Sequence, residues 1–266
     1  MTGTVAQQLS LVSYGNQFLQ TGTLPADYYP ANPAFKFCNA VDFLYVQDSA
    51  TTPAAPDPAA WFGLLRQQGC HRLWLGYQRP APNELNTPAH LLAGFVGGGG
   101  SWVLEADYGQ QSDYWAERWQ VTRSNDPDQR IWHVSYGRTR HQQRPTRQQP
   151  ALATATAELR QALLEISVFA LRQRLTNWED IFTNALRILD GQEPTPPFYD
   201  QLLAPGTLAP AARQLIFAAS QAWVFGGMGS WNDLGFADEA TSQQYEALSA
   251  ALYAKVLQAL LSGSNA

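Results

Sequence analysis

Hydrophobic spacing changes character once along the chain. Beyond residue 150, apolar side chains recur every three or four positions, the period of an amphipathic helix. Leu152, Leu159, Leu163, Ile166 and Ala170 form one stripe, and Leu164, Val168, Leu171 and Leu175 form another. Two stripes predict a helix packed on two sides and therefore central. Asn177 is placed to cap a second helix, with Glu179 and Asp180 in its first turn and Gly191 beyond its end. Pro194, Pro196 and Pro197 then predict a loop. Pro210 opens a third helix, in which Ala218, Ala219 and Ala222 permit close approach to a neighbour. The last begins near Asp238, carries Tyr245, Leu248, Leu252, Val256 and Ala259 on one face, and ends at Gly263.

Before residue 140 the pattern is shorter and alternating. Val5 to Leu19 predicts a helix, and the alternation of Phe35, Phe37, Val41, Phe43 and Tyr45 predicts a strand. Thr51 to Pro58 reads as a loop, with Asp57-Pro58 starting a helix that Gly69 stops. Further strands are expected at Leu73–Tyr77, Leu91–Val96 and Trp102–Tyr108, the last two joined by glycines 97–100. Tyr114–Arg123 and Arg130–Thr139 flank Asn125-Asp126-Pro127-Asp128-Gln129, which predicts a hairpin. Consecutive strands with tight links imply an antiparallel meander of four to six strands. The expected class is α+β: this sheet with one or two helices, then a bundle of about four helices. Residues 1–140 form the Trp-rich sheet region, 141–150 a polar connector ending in Pro150, and 151–266 the helical region.

Composition narrows the function classes. With 266 residues, 45% hydrophobic and 15% charged, the chain builds its own core without disulfide or metal. A net charge of −5 argues against phosphate neutralisation as the main task. The arginines 138, 140, 144 and 147 lack interleaved aromatics and read as a solvated connector, so no nucleic-acid partner is expected. No secretory pattern and no run near the ~18 apolar residues of a membrane span occurs. A cytoplasmic protein without membrane association is the expectation. Cys38 and Cys70 read as buried thiols, with no metal-ligand spacing around them.

Standard catalytic motifs are missing. The only lysines, Lys36 and Lys255, lie outside any Gly-Lys-Ser/Thr loop, and the glycine run at 97–100 leads into a strand rather than a helix. Neither GxSxG nor HExxH occurs, and no cofactor or metal is expected. Two constellations remain. Glu105, Asp107, Glu117 and His133 lie on neighbouring strands beside tryptophans, the materials of acid–base work on a sugar-like ring. Gly227, Gly229, Ser230, Trp231, Asn232 and Asp233 form a dense loop whose amides suit an anion nest and whose side chains suit a ligand.

The leading expectation is a non-catalytic binding or interaction protein with a protein or small-molecule partner. A bacterial accessory or immunity-type protein fits that class. The alternative is a hydrolase acting on a small polar or sugar-like ligand through the sheet-face carboxylates. Of nine tryptophans, six lie before residue 140, and Trp223 and Trp231 flank the glycine-rich loop, so two regions concentrate the interest.

Overall fold

The structure is a computed structural model that describes residues 2–48, 50–79, 87–94, 98–145, 147, 149–192 and 200–266. The expected strand end at Phe95 and Val96, Gly97, and the loop prolines 194, 196 and 197 lie outside the described residues.

Helix α1 (Gly3–Thr21) begins where the Thr2 hydroxyl accepts from the Val5 amide and stops at Gly22, whose φ of 76° places it in the left-handed region. It is buried on every side between Val5 and Gly15. A short helical turn, α2 (Tyr28–Ala31), leads to β1 (Cys38–Gln47). Phe35 lies in a preceding 3-10 turn and Phe37 is exposed, so the strand starts later than the alternation suggests. The segment read as a loop contains a strand, β2 (Ala50–Ala55). It lies at the sheet edge, where Pro53 costs no ladder bond. Next come α3 (Pro58–Gln67), capped by Asp57, and β3 (Arg72–Gln78). Where a strand was expected at Leu91, the chain makes a single helical turn, α4 (Ala89–Leu92). Strands β4 (Ser101–Asp107), β5 (Ser112–Val121) and β6 (Trp132–Gln143) complete the sheet, and β5–β6 is the expected hairpin.

The sheet order is β2-β1-β6-β5-β4-β3. Strands β3 to β6 form the antiparallel meander, and β1 joins it in parallel beside β6, so the six-stranded sheet is mixed. Its core face carries Val41, Phe43, Leu73, Leu75, Leu104, Trp115, Val134 and Tyr136, all buried. Phe43 stacks between Trp61 of α3 and Tyr136, with ring centroids 4.2 and 5.2 Å away.

Four long helices follow: α5 (Leu152–Arg172), α6 (Thr176–Leu189), α7 (Pro210–Gln221) and α8 (Glu239–Ser264). The α+β class and the order of sheet then helices are therefore as the sequence implies. Details differ. Asn177 sits inside the first turn of α6, which begins at Thr176 without a side-chain cap. Leu164, Val168 and Leu171 are exposed, so only one stripe of α5 is packed and the helix is not central. Helix α8 passes through Gly263 to Ser264, and Gly263 serves close packing. A Cβ there would stand 3.0 Å from the Ala212 carbonyl oxygen and 2.6 Å from Ile216. One continuous buried cluster runs from the sheet through α1 into these helices.

Candidate functional site

Glu117 and Trp119 stand on the core face of β5, toward the end nearest the start of α1. Glu117 lies opposite Tyr136, and Trp119 opposite Val134. Here the core face is not filled. A cavity of about 530 Å³ lies between β5, Trp102 of β4, Trp132 of β6, the start of α1, Trp223 and Tyr253 of α8. Glycines 94, 98 and 100 line it as well. Gly100 has a φ of 116°, and a Cβ on it would stand 2.4 Å from the Tyr77 hydroxyl oxygen, so only glycine fits there.

Aromatic rings make the walls, and they meet in three edge-to-face pairs. Trp119 and Trp132 have centroids 5.8 Å apart at 78°, Tyr77 and Trp102 4.9 Å apart at 61°, and Trp223 and Tyr253 6.0 Å apart at 70°. Edge-to-face is the preferred geometry for aromatic quadrupoles. The Tyr77 hydroxyl donates to the Gly99 carbonyl and stands 3.4 Å from the Tyr253 hydroxyl, so both phenols are already partnered.

Glu117 is the one charged side chain among the described residues lining this cavity. Its Oε2 accepts from Nε2 of Gln8, a fully buried side chain of α1. Burial pushes the Glu117 carboxyl up to about 7, against the weaker opposing effects of its own backbone amide and Gln8. Two further polar atoms nearby, Oε1 of Gln8 and Nε1 of Trp119, are buried without a hydrogen-bond partner among the described residues. Unpaired buried polar atoms are uncommon, and here they flank a cavity.

The other sheet candidates do not join Glu117. Glu105 pairs with Trp74 and Tyr114, and Asp107 with Arg72 and Ser112, on the outer face of the sheet. Arg147 folds back from the segment after β6 and binds both carboxylates, at 2.6 Å to Glu105 and 2.8 Å to Asp107. Its guanidinium also lies 4.5 Å from the Trp74 ring centroid, with Arg72 at 4.1 Å from the same ring. Ser112 donates to Glu105, and the Trp74 indole to Asp107. These carboxylates are held in a neutralised cluster. Arg147 is thus a structural residue rather than part of a solvated connector. His133 is also on the outer face, 2.9 Å from Asp42, and its register partner Gln120 lies six residues along β5 from Tyr114, roughly 20 Å away. The four candidates therefore fall into three places.

The glycine-rich loop is occupied by its own side chains. The amides of Gly229 and Ser230 both donate to the Asp233 carboxylate, and Ser230 with Asp233 forms a capping box. Gly229 has a φ of 82°, whereas Gly227 does not adopt a positive φ. Trp231 is fully buried. Its indole donates to Ser249 at 2.7 Å, and its ring meets Phe169, Trp178 and Phe182 edge-on. Asn232 donates to the His90 carbonyl at 2.9 Å, fastening the loop to α4. There the backbones touch: a Cβ on Gly94 would stand 2.2 Å from the Gly226 carbonyl oxygen. Ser230 lines a second cavity of about 480 Å³, which shares Thr2 and Trp223 with the first.

Reading the sequence identified Glu117 and Trp119 but not Gln8, Tyr77, Trp102, Trp132, Trp223 or Tyr253 as neighbours in one site. One local signal existed. Gln7-Gln8 interrupts the apolar run of α1, and a buried glutamine needs a partner. Gln7 finds the Tyr136 hydroxyl and the Ala34 carbonyl, while Gln8 finds Glu117. Among the described residues no group of three His, Cys, Asp or Glu side chains is arranged to hold a metal ion. No described helix is long and apolar enough to cross a membrane. Comparison with family models, curated proteins and solved structures finds no match to this chain.

Proposed function

We propose that this chain is a non-catalytic binding protein that holds a small organic molecule in the indole-walled cavity at Glu117. The single observation that carries this reading is an aromatic-walled cavity holding one charged side chain and adjoining two unpaired buried polar atoms. Apolar walls with a few fixed polar groups are what small-molecule sites generally present. A hydrolase is less well supported, because two-carboxylate chemistry needs a second acid within about 10 Å across the substrate. Glu105 and Asp107 face away from Glu117 and are bound to Arg147. The free, buried thiols of Cys38 and Cys70 suit a reducing compartment such as the cytoplasm.

The test is a thermal-shift screen of small organic molecules against the wild type and Trp132→Ala. A ligand present at 100 times its dissociation constant adds about 2.7 kcal/mol, a readable rise in Tm. The expected outcome is a stabilising compound whose effect disappears in Trp132→Ala while the unliganded variant stays folded. Turnover of a hydrolysable substrate, abolished by Glu117→Gln, would overturn the non-catalytic reading.

A further inference from the structure

The other buried carboxylates among the described residues are each met by an arginine of the chain itself. Asp113 is met by Arg138 at 3.2 Å, with the His141 ring nitrogen in hydrogen-bond contact at 2.8 Å, and Glu105 and Asp107 share Arg147. Glu117 is the exception. Every element packed against it presents a neutral group. Helix α1 contributes Gln8 and contains no charged residue. Strand β6 contributes Tyr136, a phenol kept neutral by burial, with the Cys38 thiol, pushed up to about 11, beyond it. Arg138 on the same face is committed to Asp113 and to the Tyr45 ring. The core face of β4 carries only Trp102, Leu104 and Ala106. Tyr77 and Tyr253 are likewise raised by burial, and the one cation felt there, Arg79, acts on Tyr77 rather than on Glu117. The segments outside the described residues contain no Lys, Arg or His. A largely desolvated carboxylate is stable as an anion only with a countercharge, and no cation among the described residues pairs with Glu117.

We propose that the cavity takes a free, small alkylated ammonium ion, with Glu117 as its counter-ion and the surrounding aromatic rings as its cage. The proposal rests on the binding reading above and names its ligand class. Rings that meet at steep angles and a single acid are the elements by which proteins recognise quaternary ammonium groups, which are too poorly hydrated to need many hydrogen bonds. A polyol, by contrast, needs several free donors and acceptors, and here the Tyr77 and Tyr253 hydroxyls are already engaged, which leaves Oε1 of Gln8 and Nε1 of Trp119 as the unpaired buried polar atoms. The start of α1 favours negative charge, but its Val5 amide is taken by Thr2 and its Ala6 amide by the Thr2 carbonyl. A cation binds the ionised form of Glu117. Below neutral pH it must displace a proton, so affinity rises with pH and levels off above about 7.

The experiment is calorimetric titration of the full chain with choline, with its neutral isostere 3,3-dimethylbutan-1-ol, and with glucose, at pH 6 and pH 8. The expected result is choline binding that strengthens about tenfold from pH 6 to pH 8, with proton release at the lower pH. The isostere binds at least tenfold more weakly. Glu117→Gln loses the cation preference and the pH dependence, whereas Glu117→Asp, which keeps the charge, retains both. Equal binding of choline and its isostere overturns the proposal, as does choline binding unchanged in Glu117→Gln. Glucose or the isostere binding where choline does not overturns the cation but leaves a binding cavity. If other molecules in the thermal-shift screen bind through Trp132 and choline does not, the same conclusion holds. If nothing in that screen binds, both readings fail.

Discussion

Each buried carboxylate in this protein behaves according to what stands opposite it. Glu117 has only a neutral amide, and burial raises its carboxyl from 4.5 to about 7. The native state therefore holds a proton that the unfolded chain releases, and stability must fall as pH rises from about 4.5 to about 7, then level off. The full span corresponds to about 3 kcal/mol. Urea unfolding at pH 5 and pH 8 is expected to show wild type losing stability relative to Glu117→Gln over this interval. A constant difference between the two proteins would mean that the carboxyl is not raised. Glu105 has a cation opposite it, the Arg147 guanidinium at 2.6 Å. Removing the guanidinium in Arg147→Ala leaves that carboxylate buried and unpaired and is expected to cost about 2 kcal/mol, since Arg147 itself is partly exposed. Adding Glu105→Gln to that variant should restore part of the loss, read as a shift in the urea midpoint at unchanged slope.

At the scale of elements, the edges of the sheet show how the helices are fixed to it. Strand β3 lies at one end of the sheet, with backbone groups that could pair with another chain. Two asparagine side chains close it. Asn16 of α1 accepts from the Leu73 amide at 2.7 Å and donates to the Leu73 carbonyl at 2.9 Å. Asn265, after α8, makes the same pair of bonds with Leu75, both at 2.9 Å. A carboxamide has the donor and acceptor of a peptide group, so each side chain stands in for a neighbouring strand. Asn16→Ala leaves both Leu73 groups unsatisfied and is expected to cost about 2 kcal/mol in chemical denaturation. A loss below 0.5 kcal/mol would show that water replaces the amide. These docking bonds leave no local trace in the sequence, whereas the β5–β6 hairpin, α3 with its Asp57-Pro58 start, and α8 with its Asp238 cap do, because turn and capping chemistry is local. Strand β2 escaped because Pro53 reads as a loop residue unless the strand is known to be an edge. The second stripe of α5 misled for the opposite reason. Apolar spacing records a face able to pack, and Leu164, Val168 and Leu171 remain uncovered here.

Over the whole molecule, the order of sheet and helices was legible because the hydrophobic period changes once, near residue 150. The parallel pairing of β1 with β6 was not, since it joins strands about 90 residues apart in sequence and only the tertiary fold brings them together. The candidate site has the same origin. Glu117 and Trp119 were visible as alternate residues on one strand, but Gln8, Trp102, Trp132, Trp223 and Tyr253 come from separate parts of the chain. The nine tryptophans divide accordingly: Trp61, Trp115 and Trp231 are fully buried core, Trp178 packs on Trp231, Trp74 lies on the outer face of the sheet, and Trp102, Trp119, Trp132 and Trp223 surround the cavity. That division gives the most direct test of the binding cavity. Each indole N–H gives its own proton–nitrogen NMR signal, assignable by single Trp→Phe variants, and these signals can be followed while choline, its neutral isostere and glucose are titrated in turn. The expected result is movement of the Trp102, Trp119, Trp132 and Trp223 signals with choline at concentrations where its isostere and glucose have little effect, while those of Trp61, Trp115 and Trp231 stay in place. Movement centred on Trp231 or on Trp74 at the outer face would contradict the assignment of the cavity at Glu117 as the binding site, and no movement with choline would contradict the ammonium ligand.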